Sequence, residues 1–78
     1  MAQINENTFS KKDRDRYSIH EKIDSSYSIF SIDGEKFFQI DMYGKSDREI
    51  PGKVSQTIQF DKTVAKKIID ILKNEFNL

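Results

Sequence analysis

The spacing of apolar residues changes once along this chain, from a period of two to a period of 3.6, and the change falls at Asp61. Upstream, "RYSIHEKI" sets Tyr17, Ile19 and Ile23 on one parity and Ser18, His20 and Lys22 on the other, the pattern of a half-buried strand. After "DSS", a second run, "SYSIFSID", meets Asp33-Gly34, a dipeptide suited to a two-residue hairpin turn because both central positions need positive φ. "EKFFQIDMY" returns with Phe38, Ile40 and Met42 facing one way and Phe37, Gln39, Asp41 and Tyr43 the other. Gly44, Pro51 and Gly52 break the next stretch, "GKSDREIPG", into a charged loop. "KVSQTIQF" then supplies a fourth strand, with Val54, Ile58 and Phe60 on one parity and Ser55, Thr57 and Gln59 on the other.

Asp61 stands where an N-cap belongs, its carboxylate able to accept from the backbone amide of Thr63 or Val64. Val64, Ile68, Ile71, Leu72 and Phe76 follow at helical spacing, with Lys66, Lys67, Asp70, Lys73 and Asn74 opposite. Ala65 and Ile69 widen the apolar arc to ~160°, more than packing on one sheet requires. The surplus is taken up either by a deeply curled sheet or by the helix of a second copy.

A chain of 78 residues is one small domain with a thin stability margin. It has no cysteine for a disulfide, and His20 is its lone histidine, so no metal site and no cofactor are expected. No converging set of groups nominates a catalytic residue, and the chain is expected not to be an enzyme. The opening "MAQINENTFSKKDRDRY" lacks the apolar stretch of a secretory signal, which makes the cytoplasm the expected location. No apolar run approaches the roughly 20 residues needed to cross a bilayer, and no membrane partner is expected. Residues 1–15 are polar, with Ile4 and Phe9 the sizeable apolar side chains, and read as a flexible arm before a domain over 16–78.

Aromatic and polar residues share one side of the third strand: Phe37, Gln39, Asp41 and Tyr43. Lys36, Lys45 and Lys53 flank it, and Ser55, Thr57 and Gln59 lie on the neighbouring strand. Rings on an exposed sheet can stack bases while nearby cations hold the backbone, so this side is the candidate nucleic-acid surface. The same rings could instead cover the back of the sheet or join a dimer interface. A formal net charge of zero and the central Asp41 both oppose a polyanion.

"YSIFSIDGEKFFQIDMYG", followed by "REIPGKVSQTIQF" and a terminal helix, resembles the positive-cofactor-four family of transcriptional coactivators and their bacterial relatives over residues 17–76. The matching features are the turn at Asp33 to Lys36, the strand Ile40 to Tyr43, and the Pro51-Gly52-Lys53 loop before the last strand. The resemblance implies an α+β fold: a four-stranded, curved antiparallel sheet followed by one C-terminal helix, in the order ββββα. It also implies a helix-mediated homodimer that binds single-stranded DNA on its sheets. Residue by residue it carries over Lys36 and Lys53 as basic groups and Tyr43 as the aromatic, with Lys45 and Arg48 in the matching loop. Where the family's loop has consecutive basic residues and a glycine at the strand start, "PGKVSQT" has one lysine and no such glycine, which implies weaker or absent DNA affinity.

The expected function is that of a small single-stranded nucleic-acid-binding protein, an accessory in transcription or DNA metabolism. Its candidate contacts are Lys36, Phe37, Tyr43, Lys45, Arg48 and Lys53, with Ile69 and Phe76 at the dimer interface. The alternative is a non-enzymatic protein-binding module, such as a mobile-element accessory or inhibitor, that uses the sheet face or edge.

Overall fold

The computed structural model describes residues 1–44 and 52–78. Among the described residues four strands, β1 (Ala2–Gln3), β2 (Asp24–Ile32), β3 (Glu35–Gly44) and β4 (Gln56–Phe60), precede one helix, α1 (Lys62–Phe76). They form one sheet in the order β1-β4-β3-β2. The α+β class, a sheet of four strands and the C-terminal helix match the sequence reading, and three of the four strands are the expected ones.

β2 and β3 form the hairpin that Asp33-Gly34 predicts. Both turn residues have positive φ, 53° and 78°, as a two-residue turn of this kind requires. The turn fixes the register, with Phe30 opposite Phe37, Ile29 opposite Phe38 and Tyr27 opposite Ile40. β4 lies antiparallel on the other side of β3, with Asp41 opposite Thr57 and Phe38 opposite Phe60. Asp61 caps α1 as expected, its carboxylate accepting from the Val64 amide at 3.1 Å. At the other end Asn77 adopts the left-handed conformation, φ 55°, and its amide donates to the Lys73 carbonyl.

Two expectations about the sheet are corrected. Residues 17–23 form no strand, because Asp24, Ser25 and Ser26, the turn such a hairpin needs, are already paired with Gly44, Met42 and Asp41. The fourth strand is β1 instead, which runs parallel to β4 with Ala2 opposite Ile58 and Gln3 opposite Gln59. The sheet is therefore mixed and not purely antiparallel. Backbone groups on the outer edge of β4 need partners, and the Ile4 amide extends the pairing by donating to the Gln59 carbonyl at 2.8 Å. Past β1 the chain reaches α1, where the Lys67 ammonium donates to the Phe9 carbonyl and lies 5.5 Å from the Phe9 ring centroid. Contacts from residues 1–9 thus cross the boundary expected at residue 16.

On the helix side, Tyr27, Phe38 and Phe60 stack in a row across three strands, with centroid spacings of 5.4 and 5.1 Å. Val64 is fully buried and Phe60 nearly so, and among the described residues no other apolar side chain is buried. That core is small. A folded monomer of 9.2 kDa exposes about 4,900 Å², whereas this chain exposes 7277 Å². Its radius of gyration is 14.9 Å, against about 11.5 Å for a compact domain of this length. Residues 10–23, outside any strand or helix, are exposed throughout, and large apolar side chains also stand uncovered on the elements themselves: Tyr27 and Ile29 on β2, and Ile69, Leu72 and Phe76 on α1.

Candidate nucleic-acid interface

Alternation along β3 sends Phe38, Ile40 and Met42 toward the helix side and Phe37, Gln39, Asp41 and Tyr43 to the opposite, open side. The neighbouring strands complete that open face. β2 contributes Ser26 and Phe30, and β4 contributes Thr57 and Gln59.

Polar side chains of this face bond to one another across the strands. The Thr57 hydroxyl donates to Asp41 Oδ1 at 2.7 Å, and Gln39 Nε2 donates to both carboxylate oxygens at 3.1 and 3.2 Å. Gln59 Nε2 donates to Gln39 Oε1 at 2.7 Å. The Asp41 charge is therefore held by neutral donors in the middle of the face, where it repels an approaching phosphate.

Aromatic groups lie at the two ends. Phe37 stacks on Phe30 with centroids 5.4 Å apart and planes 22° off parallel. Tyr43, six residues and about 20 Å further along the strand, shares a 2.6 Å hydrogen bond between its hydroxyl and Ser26 Oγ. Both rings are half-buried, so each supports the sheet and leaves part of its surface to a ligand.

The expected cations divide. Lys53 is exposed just before β4. Lys36 shares the parity of Phe38, opposite to that of Phe37, and lines a helix-side groove with Ile29, Phe60, Lys62 and Ala65. By parity it does not share the face of Phe37 and Tyr43, although Phe37 also lines that groove. Lys45 and Arg48 lie outside the described residues. Ile69 and Phe76 both stand exposed on α1, 51% and 68%.

Phe30 and Ser26 were absent from the sequence reading of the site. A two-residue turn at Asp33-Gly34 sets residue 30 across from residue 37 and residue 26 across from residue 41, so the signal was in the turn.

Among the described residues no helix is long and apolar enough to cross a membrane. Comparison with protein-family models, with curated proteins and with solved structures finds no match.

Proposed function

We propose that this chain is a homodimeric single-stranded nucleic-acid-binding protein, an accessory in transcription or DNA metabolism, that binds on the open face of β3. The carrying observation is one strand face with aromatic groups at both ends, Phe37 with its partner Phe30 and Tyr43 with Ser26, and hydrogen-bonding side chains between. Bases stack on such rings at ~1 to 3 kcal/mol each, with little regard to sequence. Lys53, together with Lys45 and Arg48 earlier in the sequence, supplies the cations in this reading, and Lys36, near the hairpin end of β3, is the further candidate. The resemblance of residues 17–76 to the positive-cofactor-four family supports the same assignment.

Homodimer formation is supported by the large apolar side chains left exposed on the elements of the fold, Tyr27 and Ile29 on β2 and Ile69, Leu72 and Phe76 on α1. Ile69 and Phe76 are the helix residues assigned to that interface.

Titration of labelled oligothymidine at two salt concentrations tests the binding reading. Affinity should fall as salt rises, with a log–log slope of roughly −0.7 per phosphate contacted. If no salt-sensitive binding occurs, the reading fails. A protein-binding module is the second reading, favoured by the zero net charge and by the way Asp41, Gln39, Thr57 and Gln59 already satisfy one another. Its test is a pull-down comparing wild type with Tyr43→Ala.

A further inference from the structure

Strand-forming sequence and an open strand edge lie next to each other in this chain without meeting. Residues 17–23 alternate as a strand does, yet form none, and Tyr17 and Ile19 are exposed. They run straight into β2, which closes the sheet on its outer side. β2 is nine residues long and has no lysine, no proline and a single charge, Asp24, at its first position; its register against β3 shifts once, between Asp24 and Ser25, and from Ser25 to Ile32 the edge is regular. Tyr27 and Ile29 stand 70% and 58% exposed along it. The chain cannot fold residues 17–23 back onto its own β2, since β2 begins at Asp24 and leaves no residues for a turn.

We propose that residues 17–23 add as a strand to the β2 edge of a second copy of this chain, reciprocally, so that two sheets join into one through antiparallel 17–29 segments related by a two-fold axis at Ile23. The inference rests on the homodimer reading and names the strands that make the dimer. The sequence selects the register. With the axis at Ile23, Ile23 meets its own copy, Ile19 meets Tyr27 and Tyr17 meets Ile29, so each apolar residue of the helix-side parity finds an apolar partner. On the other parity Ser18 meets Ser28, His20 meets Ser26, and Lys22 meets Asp24 with opposite charge. A shift by one residue in the pairing would place polar residues opposite these apolar ones. Each copy supplies both the added strand and the edge that receives it, which closes the assembly at two chains. Such an axis stands perpendicular to the joined sheet, so both helices lie on the same side of it, and the uncovered Tyr27 and Ile29 gain neighbours.

The chain has no cysteine, so single introduced thiols report the register directly. Sedimentation velocity of wild type should show a dimer. Under mild oxidation Ile23→Cys should form a disulfide-linked dimer about tenfold or more faster than Ile19→Cys. The reason is that the axis holds the two 23 positions within bonding distance, whereas the two 19 positions lie roughly 26 Å apart. A mixture of Ile19→Cys and Tyr27→Cys chains should cross-link to the heterodimer. All three positions are exposed or half-exposed, and circular dichroism of each variant checks that the fold is retained. A dimer in which Ile23→Cys and Ile19→Cys oxidise at equal rates overturns strand exchange and leaves the homodimer reading standing. A wild-type monomer at about 100 μM, well above the dissociation constant of a permanent interface, overturns both.

Discussion

Asp41 and Thr57 stand directly opposite one another on β3 and β4, and the Thr57 hydroxyl donates to Asp41 Oδ1 at 2.7 Å. This bond ties the two strands together across the face assigned to the ligand, and it places a negative charge at the centre of that face. Stability and binding therefore pull in opposite directions at one residue.

Asp41→Ala should expose that conflict. It leaves the Thr57 hydroxyl and the Gln39 amide without their acceptor, at a cost of about 1 to 3 kcal/mol that is read as a lower thermal midpoint. Asp41→Asn keeps an acceptor oxygen and loses the charge. It should cost less stability and tighten oligothymidine binding about fivefold at low salt, the scale of one charge–charge contact in water. Unchanged affinity in Asp41→Asn would mean that the strand of nucleic acid does not cross this part of the sheet.

Tyr43 offers a cleaner separation of roles, because its hydroxyl bonds Ser26 while its ring belongs to the open face. Tyr43→Phe should lower stability by about 1 kcal/mol, the net worth of one hydrogen bond, and leave oligothymidine affinity unchanged. Tyr43→Ala should weaken binding by ~1 to 3 kcal/mol at every salt concentration. If Tyr43→Phe loses as much affinity as Tyr43→Ala, the hydroxyl rather than the ring contacts the ligand.

The contrast between what the sequence disclosed and what it hid follows from which interactions leave a side-chain signature. Asp33-Gly34 and the Asp61 cap were legible because each backbone conformation selects particular residue types. β1 was not, since two residues pairing in parallel through backbone groups impose no pattern on their side chains. The run 17–23 has the pattern of a strand but lacks a turn that would return it to its own sheet, and alternation alone cannot tell an edge within one chain from an edge on another. The open face of β3 was legible by parity. The same parity assigns Lys36 to the helix side with Phe38, information that grouping by sequence proximity overlooked.

Phe9 holds the N-terminal segment against α1, being half-buried with the Lys67 ammonium over its ring and on its carbonyl. Phe9→Ala should remove this anchor and lower stability by about 1 to 2 kcal/mol, less than a fully buried phenylalanine because half the ring is already in water. For a domain of this size that is a fall of about 4 to 16 °C in the thermal midpoint. Lys67→Met, which keeps the stem and removes the charge, should account for at most about 1 kcal/mol of it. A midpoint unaffected by Phe9→Ala would return residues 1–9 to the flexible arm that their composition suggests.

Ile69 decides whether the helix belongs to the dimer. It lies on the flank of the apolar arc, half exposed, while Val64 and Ile68 occupy the side toward the sheet. An aspartate at that position should therefore disturb neither the buried Val64 nor the aromatic row of Tyr27, Phe38 and Phe60. In a chain on its own, Ile69→Asp costs little beyond helix propensity, a few tenths of a kcal/mol. In a dimer packed through α1 it buries a carboxylate against a second apolar helix, so the chain should sediment as a monomer and keep its helical circular dichroism. Phe76→Ala, nearer the end of the helix, should weaken association less. If Ile69→Asp remains dimeric, the helices do not form the interface, and association falls to the strands at Tyr17–Ile29. Ile23→Pro should then dissociate the dimer by removing the backbone donor at the axis.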